Sequence, residues 1–117
     1  MDANHYTEAS ATREDIDAER GWLLLDFGTD WCGHCQAARA AVDAWTAAHP
    51  AVRHVRIEDG PGRPLGRSFR VRLWPTLVLL RDGAELARAV RPLDARDLHA
   101  LDVAWRISPE SQVSVSA

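Results

Sequence analysis

Lysine is absent from the sequence, and its 14 basic side chains are all arginine. That absence excludes mechanisms that need a lysine amine, such as a Schiff base or the phosphate-binding lysine of a P-loop. Cysteine occurs only twice, as Cys32 and Cys35. Two cysteines cannot complete a four-ligand zinc site, and a bridge between near neighbours closes too small a loop to hold a secreted scaffold together. We therefore expect a cysteine pair with a chemical role, and no bound metal.

Long apolar runs are missing as well. The longest have about four residues, whereas a membrane-spanning helix needs about 20. The first residues show no charged-then-apolar leader, and the net charge of −3 gives no general attraction to nucleic acid or to anionic lipid. We expect a cytoplasmic protein without a membrane or nucleic-acid partner.

The length of 117 residues is enough for one domain, since domains typically have about 100–200 residues. A composition of 46% hydrophobic and 26% charged residues is ordinary for a globular protein. Residues 108–117 contain four serines and no periodic pattern. We predict one domain over residues 1–107, a flexible tail over 108–117, and a monomer.

Apolar patterning predicts the order of helices and strands. Residues 22–27 form an apolar run that only Asp26 interrupts, which is typical of a central strand buried on both faces. A helix is expected over 35–48, because seven of the thirteen residues from 36 to 48 are alanine. The remaining predicted elements are a short helix from Thr12 to Gly21, strands over 52–57, 76–80 and 85–90, and a last helix from Asp94. This order predicts an α/β fold with one mixed β-sheet flanked by helices on both faces.

The cysteine pair lies at the predicted junction between the buried strand and the alanine-rich helix. At a helix start, residues three apart have Cα atoms about 5–5.5 Å apart, so a dithiol and a disulfide interconvert with little backbone movement. Cys32 would lie at the helix N-terminus, where N–H groups and the helix dipole stabilise a thiolate. The sequence thus predicts Cys32 as the attacking nucleophile and Cys35 as the resolving thiol.

Four features in this order resemble the thioredoxin superfamily over residues 22–105: Leu25-Asp26-Phe27, Trp31-Cys32-Gly33-His34-Cys35, Trp74-Pro75-Thr76 and Asp82-Gly83. The resemblance implies a thioredoxin fold and a thiol–disulfide oxidoreductase that exchanges its dithiol with protein disulfides. It implies no bound cofactor besides the redox-active Cys32–Cys35 disulfide. Electrons would come from an NADPH-dependent thioredoxin reductase or from glutathione.

The resemblance also assigns a role to Asp26. A buried carboxylate without a partner costs several kcal/mol or takes up a proton. In the resembled family the acid at this position relays a proton to and from the resolving thiol, here through a water. The alternative is a structural, salt-bridged aspartate. Either His54 or Arg56 would provide the positive charge that the family's lysine provides near the acid.

Two further segments are expected to shape the site. Trp74-Pro75-Thr76 resembles the family's cis-proline segment, which binds an extended substrate peptide, although an ordinary trans proline at a strand start is the alternative. The Cys-Gly-His-Cys motif resembles that of protein disulfide isomerases. His34, with Gly33 and Trp31, is predicted to tune the site, because an imidazolium stabilises the dithiol and raises the reduction potential. The alternative is an exposed histidine without such a role.

Two departures from the family pattern limit what the resemblance implies, and the direction of exchange is open because the expected cytoplasmic location favours reduction whereas His34 favours a less reducing couple. Gly28 stands where thioredoxins usually have a tryptophan, and Trp74 is bulkier than the residue common before the proline. A cytoplasmic disulfide reductase is expected. The alternatives are a redox-sensing or protein-binding module without efficient turnover, and a more oxidising, isomerase-like exchanger.

Overall fold

The computed structural model describes residues 5–107, which contain four strands and four α-helices. The strands are β1 (Trp22–Gly28), β2 (Arg53–Glu58), β3 (Thr76–Arg81) and β4 (Ala84–Val90). The helices are α1 (Arg13–Ala18), α2 (Gly33–Ala48), α3 (Pro64–Ser68) and α4 (His99–Ile107), and a 3₁₀ turn at Ala95–Leu98 leads into α4. The predicted tail over 108–117 lies outside the described residues, so it stays a prediction.

The four strands form one mixed sheet in the order β2-β1-β3-β4. β1 pairs in parallel with β2 and antiparallel with β3, and β3 pairs antiparallel with β4. All seven residues of β1 are buried. The prediction that the apolar run forms a central strand is therefore confirmed.

Alternate side chains of β1 face the two sides of the sheet, because successive residues of a strand point in opposite directions. Leu23, Leu25 and Phe27 pack in the core beneath α1 and α3. Trp22 and Leu24 pack in a second core with residues of α2 and α4. Helices thus cover both faces, as the sequence predicts. The same alternation directs Asp26 towards the α2 side of the sheet.

Three helix boundaries differ from the predicted ones. The last helix, predicted from Asp94, begins as α4 only at His99, because Asp94 caps the 3₁₀ turn that precedes it. α1 starts with the predicted cap at Thr12, but it ends at Ala18 because Glu19 adopts an extended conformation. Gly21 is not its C-terminal residue; it has a φ of +89° and belongs to the turn into β1. α2 begins at Gly33, two residues before the predicted start, because the Cys32 side chain caps the helix.

Candidate active site

The two cysteines meet where β1 ends and α2 begins. Cys32 is the N-cap of α2, and its Sγ accepts a hydrogen bond from the Cys35 backbone N–H over 3.4 Å. Both cysteines are free thiols and both are buried. Gly33 and His34, the first two residues of the helix, are exposed. The predicted pair is therefore positioned by the helix start, with Cys32 at its positive end.

The second thiol lies in an apolar environment that keeps it protonated. The pKa of Cys35 is raised from 9.0 to about 12, mainly by burial and also by the neighbouring Cys32, whereas hydrogen bonds from the Thr29 backbone and from Tyr6 oppose the shift. At neutral pH Cys35 therefore needs a base before it acts as a nucleophile.

The pKa of Cys35 predicts a loss of stability at alkaline pH. An unfolded thiol loses its proton near pH 9, whereas folded Cys35 keeps it to about pH 12, so the folded chain binds more protons in this range. The free energy of unfolding should fall as pH rises, by at most about 1.4 kcal/mol per pH unit. Urea unfolding at several pH values under reducing conditions measures this dependence. In the Cys35→Ala variant the free energy of unfolding should lack the part of the decrease with pH that Cys35 causes. Equal slopes for the two proteins would contradict the assignment.

Asp26 lies in the middle of β1 with only 1% of its surface exposed, and it has three polar neighbours. The Tyr6 hydroxyl donates a hydrogen bond to its Oδ1 over 2.7 Å. The Arg56 Nε is 3.3 Å from its Oδ2, and the His54 Nε2 is 3.5 Å from the same oxygen. Asp26 is therefore a paired, salt-bridged carboxylate, because strand pairing places Arg56 directly beside it.

Both candidates for the nearby positive charge, His54 and Arg56, lie next to Asp26. Arg56 provides the permanent charge, since a guanidinium stays protonated in proteins. Burial lowers the pKa of Arg56, but a hydrogen bond to Asp43 and the charge of Asp26 outweigh it, and the net shift is upward. Its Nη2 donates to Asp43 Oδ1 over 2.9 Å. Arg56 therefore forms ion pairs with two carboxylates, those of Asp26 and Asp43.

Tyr6 is the site residue that the sequence did not predict. Its segment has no periodic pattern, but Thr7 forms an isolated bridge with Ile57 of β2, which ties the segment to the sheet. The Tyr6 backbone N–H also donates to Asp30 Oδ1 over 3.0 Å. Gly28 is the one residue of the sequence that pointed to such a contact. Where a tightly packed site lacks a side chain, an aromatic ring from another segment of the chain can fill the space.

The segment before β3 also reaches the site. The Trp74–Pro75 peptide bond is cis, as the resemblance implies. The Trp74 indole N–H donates to Asp59 Oδ2 over 2.8 Å, and its ring meets the Trp31 ring edge-on at a centroid distance of 5.8 Å. Trp31 is 74% exposed, which leaves an aromatic surface beside Cys32. Thr76, by contrast, is buried, and its hydroxyl donates to the Leu73 carbonyl, so its side chain is not available to a substrate.

Residues 5–107 hold no group of three or more histidine, cysteine, aspartate or glutamate side chains arranged to bind a metal ion. Within the same residues, no helix has the length and apolar character needed to cross a membrane.

A dithiol at a helix start, beside a cis-proline and a buried carboxylate, defines a thiol–disulfide oxidoreductase site on a thioredoxin fold. A family model described as Thioredoxin matches residues 4–101. The chain belongs to the thioredoxin family.

Individual relatives agree with this membership. Thioredoxin 2 from Pseudomonas aeruginosa PAO1, solved in its reduced form, has a TM-score of 0.77 and 50% identity, covering 86% of this chain and 94% of that one. Thioredoxin from Chlamydia trachomatis is 35% identical over 60% of this chain and 69% of its own length. Thioredoxin-2 from Pyricularia oryzae is 26% identical over 77% of this chain, but the match spans only 52% of the fungal protein.

Proposed function

We propose that this protein reduces disulfide bonds in other proteins, with Cys32 as the attacking nucleophile and Cys35 as the resolving thiol. The observation that carries the proposal is the different placement of the two thiols. Cys32 caps α2 next to the exposed Trp31, whereas Cys35 lies deeper, beside Tyr6. In this arrangement a substrate disulfide meets the Cys32 sulfur first, and the Cys35 sulfur reacts only in the second step.

The reaction has two exchange steps. The Cys32 thiolate attacks one sulfur of the substrate disulfide, forms a mixed disulfide and expels the other substrate sulfur as a thiolate. Cys35 then loses its proton and attacks Cys32, which forms the Cys32–Cys35 disulfide and releases the second substrate sulfur. Two electrons pass from the cysteine pair to the substrate. The substrate peptide is proposed to lie along Trp74 and Pro75, next to the exposed Trp31.

The reduced pair must be regenerated by an external donor. We propose an NADPH-dependent thioredoxin reductase, with glutathione as the alternative donor, and a monomer that works in the cytoplasm. The cysteine content supports this location, since both cysteines of the chain belong to the exchange pair and neither is left for a structural bridge. The substrates are proteins with accessible disulfides.

Turnover distinguishes an enzyme from a sensor. With NADPH, a thioredoxin reductase and insulin, we expect each chain to reduce many insulin disulfides, followed as continued NADPH consumption. The matched control is Cys35→Ser. NADPH consumption with insulin no higher than that of the control, when the reductase is shown to reduce the oxidised chain, would contradict the reductase proposal and support a redox-sensing module.

An isomerase-like exchanger is the second candidate, and His34 is the observation that favours it. His34 is exposed at the second position of α2, one residue after Gly33 and two after Cys32. A positive charge there stabilises the Cys32 thiolate, so the dithiol is favoured and the reduction potential rises.

Removing the imidazole is expected to make the protein more reducing. His34→Gln and His34→Pro should each lower the reduction potential by roughly 30 mV, which corresponds to about 1.4 kcal/mol for a two-electron couple. Proline is tolerated in the first turn of a helix, so the second variant keeps α2. Equilibration against a glutathione redox series measures the potential. Unchanged potentials in both variants would leave His34 without a tuning role.

A further inference from the structure

Tyr6 joins the buried carboxylate to the resolving thiol. Its hydroxyl donates to Asp26 Oδ1 over 2.7 Å, and its side chain packs against Cys32 and Cys35 in one small cluster. Tyr6 is only 7% exposed, so little solvent reaches this contact. The Tyr6 hydroxyl also lowers the pKa of Cys35 through hydrogen bonding, against the larger opposite effect of burial.

Gly28 makes this arrangement possible. A Cβ at Gly28 would lie 2.5 Å from the Cys35 Sγ and 3.0 Å from two atoms of the Tyr6 ring. Both distances are too short for a side chain, so the thiol and the phenol occupy the space that any larger residue would need. The Tyr6 ring can therefore pack against Cys35 only because residue 28 has no side chain.

The phenol is suited to pass a proton without becoming charged. Burial raises the pKa of Tyr6 well above its usual range, and the charge of Asp26 and the hydrogen bond to it raise it further. The hydroxyl therefore stays neutral, with one proton to donate and lone pairs to accept another. Asp26 accepts from it on one side, and Cys35 lies on the other.

We propose that Tyr6 is a catalytic residue, whose hydroxyl relays the proton between Cys35 and Asp26 during release of the mixed disulfide. It takes the place assigned from the resemblance to a bridging water. The inference deepens the exchange mechanism proposed above and rests on Cys35 being the resolving thiol.

In this step the Cys35 S–H bond breaks and its proton forms a new bond to the Tyr6 oxygen. The proton that Tyr6 carried moves to Asp26 Oδ1. The Cys35 thiolate attacks Cys32, the Cys32–Cys35 bond forms, and the bond from Cys32 to the substrate breaks. The substrate thiolate leaves with both electrons of that bond and takes a proton from solvent. The reverse of this relay returns a proton to Cys35 when the disulfide is next reduced.

Other charged groups around the relay come from two elements. From β2, Arg56 and His54 face Asp26, and Arg56 also binds Asp43 of α2. β3 contributes no charge opposite Asp26, since its register partner there is Leu77. Arg56 thus places a permanent positive charge 3.3 Å from the carboxyl group that receives the proton.

Tyr6→Phe isolates the hydroxyl, because it keeps the ring that packs at Gly28. Stopped-flow mixing of the reduced protein with excess dithiobis-nitrobenzoate shows two releases of coloured thiolate, first by Cys32 attack and then by Cys35. We expect Tyr6→Phe to leave the first phase unchanged and to slow the second by roughly 100-fold at neutral pH, the lower end of the effect of losing a general acid–base group. The midpoint of the pH dependence of the second-phase rate should also rise, because the Cys35 thiolate loses a hydrogen-bond donor.

Asp26→Asn provides the matched test of the relay. If Tyr6 acts through Asp26, adding Tyr6→Phe to Asp26→Asn should slow the second phase little further. Equal effects of Tyr6→Phe in both backgrounds, an unchanged second phase, or equal slowing of both phases would overturn the relay. None of these outcomes depends on turnover with a reductase, so failure of the relay and failure of the reductase proposal are distinguishable.

Discussion

Replacing Cys32 by serine is expected to reduce insulin reduction to the rate of the blank without protein. Serine keeps the hydrogen-bonding cap of α2, so the fold and the helix start should persist. It removes the only thiol at the N-terminus of that helix, and a hydroxyl does not exchange with disulfides. The measurement is NADPH consumption with a thioredoxin reductase and insulin, alongside circular dichroism to confirm folding.

Cys35→Ser is the control that separates attack from resolution. With Cys32 intact, this variant should still attack a substrate disulfide but should stop as a mixed disulfide. Mass spectrometry then finds the substrate bound to Cys32 in a complex that dithiothreitol releases. If Cys32→Ser retains turnover, or if Cys35→Ser captures no substrate, the order of the two thiols is wrong.

Arg56→Met is expected to cause the largest loss of stability away from the cysteines. Arg56 is only 4% exposed, and its removal leaves the Asp26 carboxylate buried without its guanidinium partner. Removing one member of a buried ion pair costs about 3–5 kcal/mol, because the remaining charge is uncompensated. Urea unfolding at neutral pH measures the difference from the wild type.

The double variant Asp26→Leu/Arg56→Met tests the cause of that loss. With both charges gone, most of the lost stability should return, since an apolar pair of similar volume replaces a buried ion pair at little cost. A deficit that persists in the double variant would assign the loss to packing and not to charge.

The sequence predicted the elements that hold the cysteines because each has a strong local pattern. β1 is almost wholly apolar, and α2 is rich in alanine, so neither needs long-range information to be recognised. The Cys-x-x-Cys spacing at their junction has chemical meaning by itself. These local signals account for the confirmed sheet, the helices on both faces and the position of the dithiol.

The partners of Asp26 required information that local patterns do not contain. Tyr6 and Asp26 are 20 positions apart, and the segment around Tyr6 has no period that assigns it to an element. In β2, polar and apolar residues alternate without a clear buried face, so its register against β1 could not be read from the sequence. Only the strand pairing decides that Arg56 lies directly beside Asp26.

These partners change the interpretation of the site more than any boundary shift does. The motif alone describes two thiols and a nearby acid. The structure adds a phenol at Tyr6, which links the acid towards Cys35, and it places Arg56 against the acid as the permanent charge. The space that Gly28 leaves makes this link fit.

A single-turnover reaction tests the central claim most directly. The fully reduced protein is mixed with excess insulin in the absence of any reductase, and its mass and disulfide pattern are determined after acid quenching. Thiol–disulfide exchange predicts one insulin disulfide reduced per chain, and a chain lighter by two hydrogen atoms with a Cys32–Cys35 bond. A chain that remains a dithiol while insulin stays oxidised would contradict the assignment.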